Sequence, residues 1–192
     1  PVYTVAGGKI FFDGEDITDW SADKRANAGM FMSFQNPLEV PGLSLESFIR
    51  NSIRQKTGKP IKINQFNKQL EETMKLLDMD PSYAERDLNV GFSGGEKKKA
   101  EILQMLMLEP KLAILDETDS GLDVDAVRTV SKGIHEYMQR TEGALLIVTH
   151  NANILEALNV DHTHVMVHGH IVKEGGPEII KQIGDKGFEQ FA

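Results

Sequence analysis

The sequence predicts an α/β fold, in which a parallel sheet forms the core and a helical subdomain is inserted into it. Two short apolar runs, residues 112–115 and 144–148, are typical of strands buried on both faces of a parallel sheet. Between them, apolar residues recur every third or fourth position over residues 124–138, which predicts the helix that joins two parallel strands. This alternation of strand and helix is the pattern of the α/β class.

The first elements of the core lie near the start of the chain. Residues 9–12 followed by Asp13 and Gly14 predict a strand and a tight turn, because an Asp-Gly pair tolerates the backbone angles that such a turn requires. Residues 29–34 predict a second and more deeply buried strand. Both strands belong to the sheet-forming part of the chain.

A helical pattern then separates the two parts of the core. In residues 36–85 apolar side chains recur on one helical face and, after a break at residues 57–60, on another. The two faces consist of Leu45, Phe48, Ile49 and Ile53, and of Phe66, Leu70, Met74 and Leu77. We predict one domain over residues 1–192, with an α/β core of residues 1–35 and 108–192 and a helical subdomain of residues 36–107.

The last part of the chain predicts a hairpin over residues 165–172 that turns at His168 and Gly169, and a terminal helix that starts at Pro177. Four histidines crowd this hairpin, at positions 162, 164, 168 and 170. A turn at this point pairs His164 with Lys173 and directs His164 and His170 to opposite faces. A solvated hairpin is therefore favoured over a metal site.

Composition limits the class of protein. The 192 residues, 40% of them hydrophobic, suffice for one core, and the net charge of -8 argues against a nucleic-acid or anionic membrane partner. The run Lys97, Lys98 and Lys99 is interpreted as a solvated helix face. No apolar run approaches the roughly 20 residues that span a bilayer, so we expect a cytoplasmic protein. The absence of cysteine means that the chain offers no thiolate to an iron–sulfur cluster.

Two carboxylates follow a predicted core strand directly. Asp116 and Glu117 come after residues 112–115, at the carboxyl edge of a parallel sheet, where ligand sites of α/β proteins form. An aspartate there can hold Mg²⁺, and a glutamate can activate the water that attacks a γ-phosphate. Such a pair is also common as a helix cap, so the interpretation as a nucleotide site needs support from other segments.

The first support is the segment Phe92-Ser93-Gly94-Gly95-Glu96 before a predicted helix. Ser93 and Glu96 have the spacing of a capping box. The two glycines leave the first backbone amides of the helix uncovered, so that a phosphate can approach the positive end of the helix dipole. Three further elements keep a fixed order around these segments: Gln35 after a strand, residues 120–123 after the acidic pair, and His150 after residues 144–148.

The series resembles the Q-loop, signature, Walker B, D-loop and H-loop of the ATP-binding-cassette (ABC) ATPases, and it covers nearly the whole chain. The amino-acid sequences of three segments are similar to those of the SufC group of this family, the ATPases of Suf iron–sulfur cluster assembly. These segments are FQNPLEVPG from Phe34, NVGFSGGEKKKAEILQM from Asn89 and LAILDETDSGLD from Leu112. The resemblance implies an ABC-type nucleotide-binding domain, ATP and Mg²⁺ as cofactors, and SufB and SufD-like scaffold proteins as partners.

The resemblance also implies a role for each matching residue. Glu117 would be the catalytic base, His150 would contact the γ-phosphate, Asp116 would position Mg²⁺, and Gln35 would sense the metal and the attacking water. Four residues would act in a transient, ATP-dependent homodimer, where the first three press on the nucleotide of the opposing subunit and the last connects the two sites. They are Ser93, Gly94, Gly95 and Asp123.

The sequence departs from the family at the loop that grips phosphates. The pattern G-x-x-x-x-G-K-[ST] does not occur in it. We expect the chain to begin just after that loop, at Pro1, and expect these residues alone not to hold ATP in their own site. Alternative functions are the ATP-binding subunit of a membrane transporter, a chromosome or DNA-repair ATPase, and an inactive nucleotide-binding module. The short separation of Gln35 and Ser93 argues against the repair ATPase, whose cassette is interrupted by long coiled coils.

Overall fold

The computed structural model describes residues 6–150, 152–155 and 158–191. Within these residues the strands are β1 (Phe11–Phe12), β2 (Glu15–Asp16), β3 (Met30–Met32), β4 (Val40–Ser44), β5 (Asp87–Leu88), β6 (Leu112–Asp116), β7 (Ala144–Val148), β8 (Thr163–Val167) and β9 (His170–Gly175). The α-helices are α1 (Ala22–Ala28), α2 (Leu45–Thr57), α3 (Ile63–Leu76), α4 (Gly94–Leu108), α5 (Val124–Arg140) and α6 (Glu178–Lys186). Short 3-10 helices cover Pro81–Ala84, Ala152–Leu155 and Glu189–Phe191.

The core sheet is parallel, with the strand order β3-β6-β7. Met30 lies opposite Leu112, and Leu112 lies opposite Ala144, so that all three strands end at the same edge. Helix α5 connects β6 to β7 and begins and ends close to its predicted limits. The predicted α/β fold with a parallel core is confirmed.

One face of this sheet packs against helices. The central strand β6 buries Ala113 and Leu115 completely, in one hydrophobic cluster with residues of α4 and α5 such as Leu103 and Ile134. Helix α4 is apolar on nearly all sides because helices and the sheet surround it. The packing fixes the start of α4 relative to the edge where the strands end.

The prediction that residues 144–148 are buried on both faces was wrong. Strand β7 alternates, with Leu145 and Ile147 against the core cluster and with Leu146 and Val148 about half exposed. A continuous apolar run is compatible with a strand that is buried on one face and with a strand that is buried on both. The elements that lie over each face decide the burial, and the run itself does not encode them.

The segment before α2 is extended, where a helical pattern was expected from residue 36. Strand β4 pairs antiparallel with β5, and Pro37, Pro41 and Gly42 disfavour a helix in this stretch. Helix α1 was not predicted because its sequence has no apolar face. It is held instead by the Arg25 guanidinium, which donates to three backbone carbonyls, and by Gly29, whose left-handed conformation ends the helix.

The two hairpins turn where the sequence predicts. Asp13 and Gly14 join β1 to β2, and His168 and Gly169 join β8 to β9, all with positive φ. The predicted pairing of His164 with Lys173 was wrong, because an irregularity after residue 165 shifts the register and places His164 opposite Glu174. Helix α6 follows Pro177, as predicted. In the part of the chain that the structure describes, no helix is long and apolar enough to cross a membrane.

Candidate functional site

Three side chains from different parts of the sequence meet where the core strands end. Glu117 follows β6, Gln35 lies shortly after β3, and His150 lies shortly after β7. The amide Nε2 of Gln35 donates to Oε2 of Glu117 at 2.8 Å, and Nδ1 of His150 lies 3.7 Å from Oε1 of the same carboxylate. One oxygen of Glu117 is therefore hydrogen-bonded to Gln35, and the other faces His150 at a distance longer than a hydrogen bond.

The backbone of Glu117 holds its side chain at this position. Its φ of 45° is in the left-handed region, which a glutamate rarely adopts. Its N–H donates to the carbonyl of Val148 at 2.8 Å, which continues the pairing of β6 with β7 by one residue. The chain turns sharply at that point, and the carboxylate is directed toward Gln35 and His150. A strained residue at a strand end is a frequent feature of functional sites.

A layer of buried polar groups supports the turn, and sequence reasoning missed it. The Ser33 hydroxyl accepts from the N–H of Asp116 at 3.1 Å and lies 3.1 Å from the hydroxyl of Thr118. Thr149 donates to the carboxylate of Asp119 at 3.0 Å. Ser33, Thr118 and Asp119 are almost fully buried. A sequence signal exists, since a hydroxyl residue directly follows the apolar run of β3 and of β7.

Asp116 lies at the same edge and is partly exposed. Within the described residues its carboxylate makes no hydrogen bond or ion pair, although its N–H is bound by Ser33. The nitrogen of Gln35 is the atom that binds Glu117, so its amide oxygen, which makes no hydrogen bond to the described residues, can contact a ligand. In the described residues no group of three acidic or histidine side chains forms a complete metal site. Two oxygen donors are, however, enough for Mg²⁺ when water and phosphate complete its shell.

The glycine-bearing segment begins α4 as predicted. The Ser93 hydroxyl accepts from the N–H of Glu96 at 3.3 Å, and the Glu96 carboxylate accepts from the N–H of Ser93 at 2.7 Å, which is a complete capping box. The Tyr83 hydroxyl also donates to Glu96, and this bond is the main reason that the pKa of the Glu96 carboxyl is below its usual range. The Glu96 carboxylate of the cap is thus ionised at neutral pH.

Gly94 and Gly95 leave the start of α4 open. A Cβ at Gly94 would meet nothing within 4 Å, and one at Gly95 would lie 3.7 Å from the side chain of Ala126 in α5. Helix α5 is itself capped by Asp123, whose Oδ1 accepts from the N–H of Ala126 at 2.8 Å. The predicted residues Ser93, Gly94, Gly95 and Asp123 therefore lie at two adjacent helix starts.

The two groups of predicted residues are separate within one chain. Among the described residues, the side-chain hydrogen bonds and ion pairs of Glu117 go to Gln35 and His150, and none goes to residues 93–95. The site thus consists of a carboxylate cluster at the sheet edge and of an open pair of helix starts. The first can orient a water molecule, and the second can bind an anion through uncovered backbone amides.

The chain is similar in sequence to known proteins. The sequence profile of the family described as "ABC transporter" matches residues 2–120. "Vegetative protein 296" of Bacillus subtilis is 44% identical over 191 residues, which are 98% of this chain and 73% of that protein. A "Probable ATP-dependent transporter" of Synechocystis sp. is 43% identical over 193 residues, 98% of this chain and 75% of that protein.

Solved structures show the same fold. The dimeric post-hydrolysis state of an ATP-binding cassette, bound to ADP and Pi, superposes with a TM-score of 0.76 at 16% identity and covers 91% of this chain and 75% of that one. A nucleotide-free cassette from an ABC transporter gives 0.70 at 23% identity, with 99% and 77% covered. The chain belongs to the ABC transporter family of ATP-binding cassettes, whose members bind and hydrolyse ATP.

Proposed function

We propose that the protein is the cytoplasmic ATPase subunit of a Suf-type iron–sulfur assembly complex, and that it couples ATP binding and hydrolysis to conformational change in a scaffold. The observation that carries the catalytic assignment is the Glu117 carboxylate, which is hydrogen-bonded to Gln35 and lies 3.7 Å from His150. The assignment to the SufC group is supported by the amino-acid sequences of three segments, residues 34–42, 89–105 and 112–123. The absence of cysteine is consistent with a subunit that drives conformational change by ATP hydrolysis, while its partners provide the ligands of the iron–sulfur cluster.

In this mechanism Glu117 is the general base. Its carboxylate accepts a proton from a water molecule, the water oxygen bonds to the γ-phosphorus, and the bond to the bridging oxygen breaks, which gives ADP and phosphate. Gln35 holds the carboxylate by its hydrogen bond of 2.8 Å, so that little reorientation is required. His150, 3.7 Å from the other carboxylate oxygen, contacts the γ-phosphate.

Asp116 and Gln35 are the residues that would hold Mg²⁺. Asp116 supplies a carboxylate that has no partner among the described residues, Gln35 supplies an amide oxygen, and both are the hard oxygen donors that this ion prefers. When bound, the ion would neutralise charge on the phosphates of ATP. The Ser33 hydroxyl, which accepts from the N–H of Asp116, fixes the backbone from which that carboxylate projects.

The open helix starts act on a second copy of the chain. Ser93, Gly94 and Gly95 offer uncovered amides, and Asp123 begins the adjacent helix, yet none of them bonds to Glu117 within the described part of one chain. A face-to-face homodimer would bring these amides to the γ-phosphate that the partner holds, so that each site is completed in trans. Two ATP molecules would then lie between the protomers.

The test is Glu117→Gln in the full-length protein. We expect steady-state ATP turnover to fall about 100-fold or more, since a general base contributes that much, while ATP affinity stays within a fewfold. Glu71→Gln is the matched control, because Glu71 is an exposed glutamate of α3. Turnover by Glu117→Gln equal to that of the control would refute the role of Glu117. No turnover by the unsubstituted protein would instead favour the inactive nucleotide-binding module.

The second candidate is the ATP-binding subunit of a membrane transporter, which the names of several relatives suggest. The partner in either case is expected beside Gln35, in the segment where Phe34, Leu38 and Val40 are exposed apolar side chains. Affinity purification from native extract distinguishes the candidates. SufB and SufD-like proteins in the eluate support the Suf assignment, and a membrane-embedded permease overturns it. Leu38→Asp, which places a charge at the most exposed of these three apolar side chains, should release either partner.

A further inference from the structure

A buried ion pair of α4 binds the backbone beside Gln35. Lys98 and Glu101 are one helical turn apart, and their side chains are each only 5% exposed. Nζ of Lys98 lies 3.2 Å from Oε2 of Glu101. The prediction that the three lysines at the start of α4 form a solvated face was therefore wrong for Lys98, whereas Lys97 and Lys99 are partly exposed.

The two side chains enclose one residue of the neighbouring segment. Lys98 donates from Nζ to the carbonyl of Phe34 at 2.6 Å, and the N–H of Phe34 donates to Oε1 of Glu101 at 2.7 Å. Pairing of this strand with β6 ends one residue earlier, at Ser33, whose N–H donates to the carbonyl of Ile114. Phe34 thus leaves the sheet with both of its peptide groups bound to α4, which satisfies groups that would otherwise lack a partner.

Such a pair is costly to bury. Desolvation of two charges is offset only by good geometry and additional hydrogen bonds, and apolar residues of the same volume would often be at least as stable. Burial is also the main cause that raises the pKa of the Glu101 carboxyl. The hydrogen bonds to Phe34 give this pair a specific structural role, because they bind the backbone of the residue before Gln35. Stability alone does not explain the choice of charged side chains here.

We propose that Lys98 and Glu101 are positioning residues, which fix the backbone of Phe34 and thereby keep the Gln35 amide on the Glu117 carboxylate. The proposal rests on the function proposed above for Gln35 and Glu117. The same helix is capped by Ser93, about one and a half turns before Lys98, so a displacement of its start moves the pair as well. Contact at the open helix start is transmitted in this way to the carboxylate cluster.

The experiment is a double-mutant cycle on ATP turnover by the full-length protein. Lys98→Met removes the donor to Phe34 and keeps the chain length, and Gln35→Ala removes the group that the pair positions. We expect Lys98→Met to lower kcat about tenfold with KM for ATP changed less than threefold, and to change kcat less than twofold in the Gln35→Ala background. Lys99→Met is the matched control, since Lys99 also donates to a backbone carbonyl, that of Asp78 at 3.0 Å.

The outcomes separate the two proposals. An equal loss from Lys98→Met in both backgrounds, or a loss no larger than that of Lys99→Met, shows an ordinary structural role and overturns the positioning proposal while Gln35 keeps its function. An unchanged kcat for Gln35→Ala refutes the role of Gln35, and the positioning proposal falls with it. If Lys98→Met does not fold, the cycle is repeated with Glu101→Gln, which retains an acceptor for the N–H of Phe34 and should give at least a threefold coupled loss.

Discussion

Gly133→Ala should destabilise the protein, although alanine is the better helix former. Gly133 lies inside α5, and a Cβ there would come within 2.4 Å of Cγ2 of Ile102 and 2.8 Å of Cδ2 of Leu77. The Leu77 methyl is the end of a flexible side chain, but the Ile102 methyl is attached at a stiff β-branch of α4, so the two helices must separate. Overpacking of this kind costs about 1–3 kcal/mol, against a propensity gain of roughly 1 kcal/mol.

The assay is urea unfolding of the full-length protein, with Gly184→Ala as the control. Gly184 is also inside a helix, and a Cβ there meets nothing within 4 Å, so it gains the propensity without the overlap. The difference between the two variants isolates the overlap, and we expect Gly133→Ala to be less stable than Gly184→Ala by about 1–3 kcal/mol. Equal free energies of unfolding would contradict the close approach of α4 and α5.

Three further outcomes are expected. Tyr137→Phe should lower the free energy of unfolding by about 1–2 kcal/mol, because the buried hydroxyl donates to the Pro110 carbonyl at 2.8 Å; thermal and urea unfolding both measure this. Ser44→Ala should cost about 1 kcal/mol, since Ser44 caps α2, whereas Ser21→Ala should cost less because the Ser21 hydroxyl makes no cap bond to α1. The hydrogen bond from Tyr83 is the main cause that lowers the pKa of the Glu96 carboxyl in the folded protein. The stability that this carboxylate contributes is therefore present above its pKa in the unfolded state and is lost as the pH falls through its folded pKa. Below about pH 4.5 the free energy of unfolding should decline less for Glu96→Gln than for the unsubstituted protein.

The sheet and its crossover helix could be predicted from the sequence because their signals are local. The apolar run of β6 and the three-and-four spacing of α5 each identify an element without knowledge of its neighbours. The exposed face of β7 and the extended segment at β4 could not be predicted in the same way. The first depends on which elements lie over the sheet, and the second depends on pairing with β5, which is more than 40 residues away in the chain.

For the site, the order of the sequence motifs predicted which residues take part, and the structure supplied the distances between them. Gln35, Glu117 and His150 end or follow three parallel strands, so their meeting at one edge follows from topology. The buried pair of α4 was missed, because three consecutive lysines were interpreted as one surface. Helical spacing offers a correction: Lys98 shares a face with Ile102 and Met105, both fully buried, and that periodicity predicts its burial.

Helix α4 relates the two separate groups of candidate site residues within one chain. In the function proposed above, its start accepts an anion from a partner and is left open by Gly94 and Gly95, while its second turn is buried and binds Phe34. Both conditions are met because the helix enters the core within its first two turns, after the capping box has fixed its first residues. Because the open start and the pair that binds Phe34 lie on the same helix, α4 is the element through which, in the proposal above, contact between protomers reaches the carboxylate cluster.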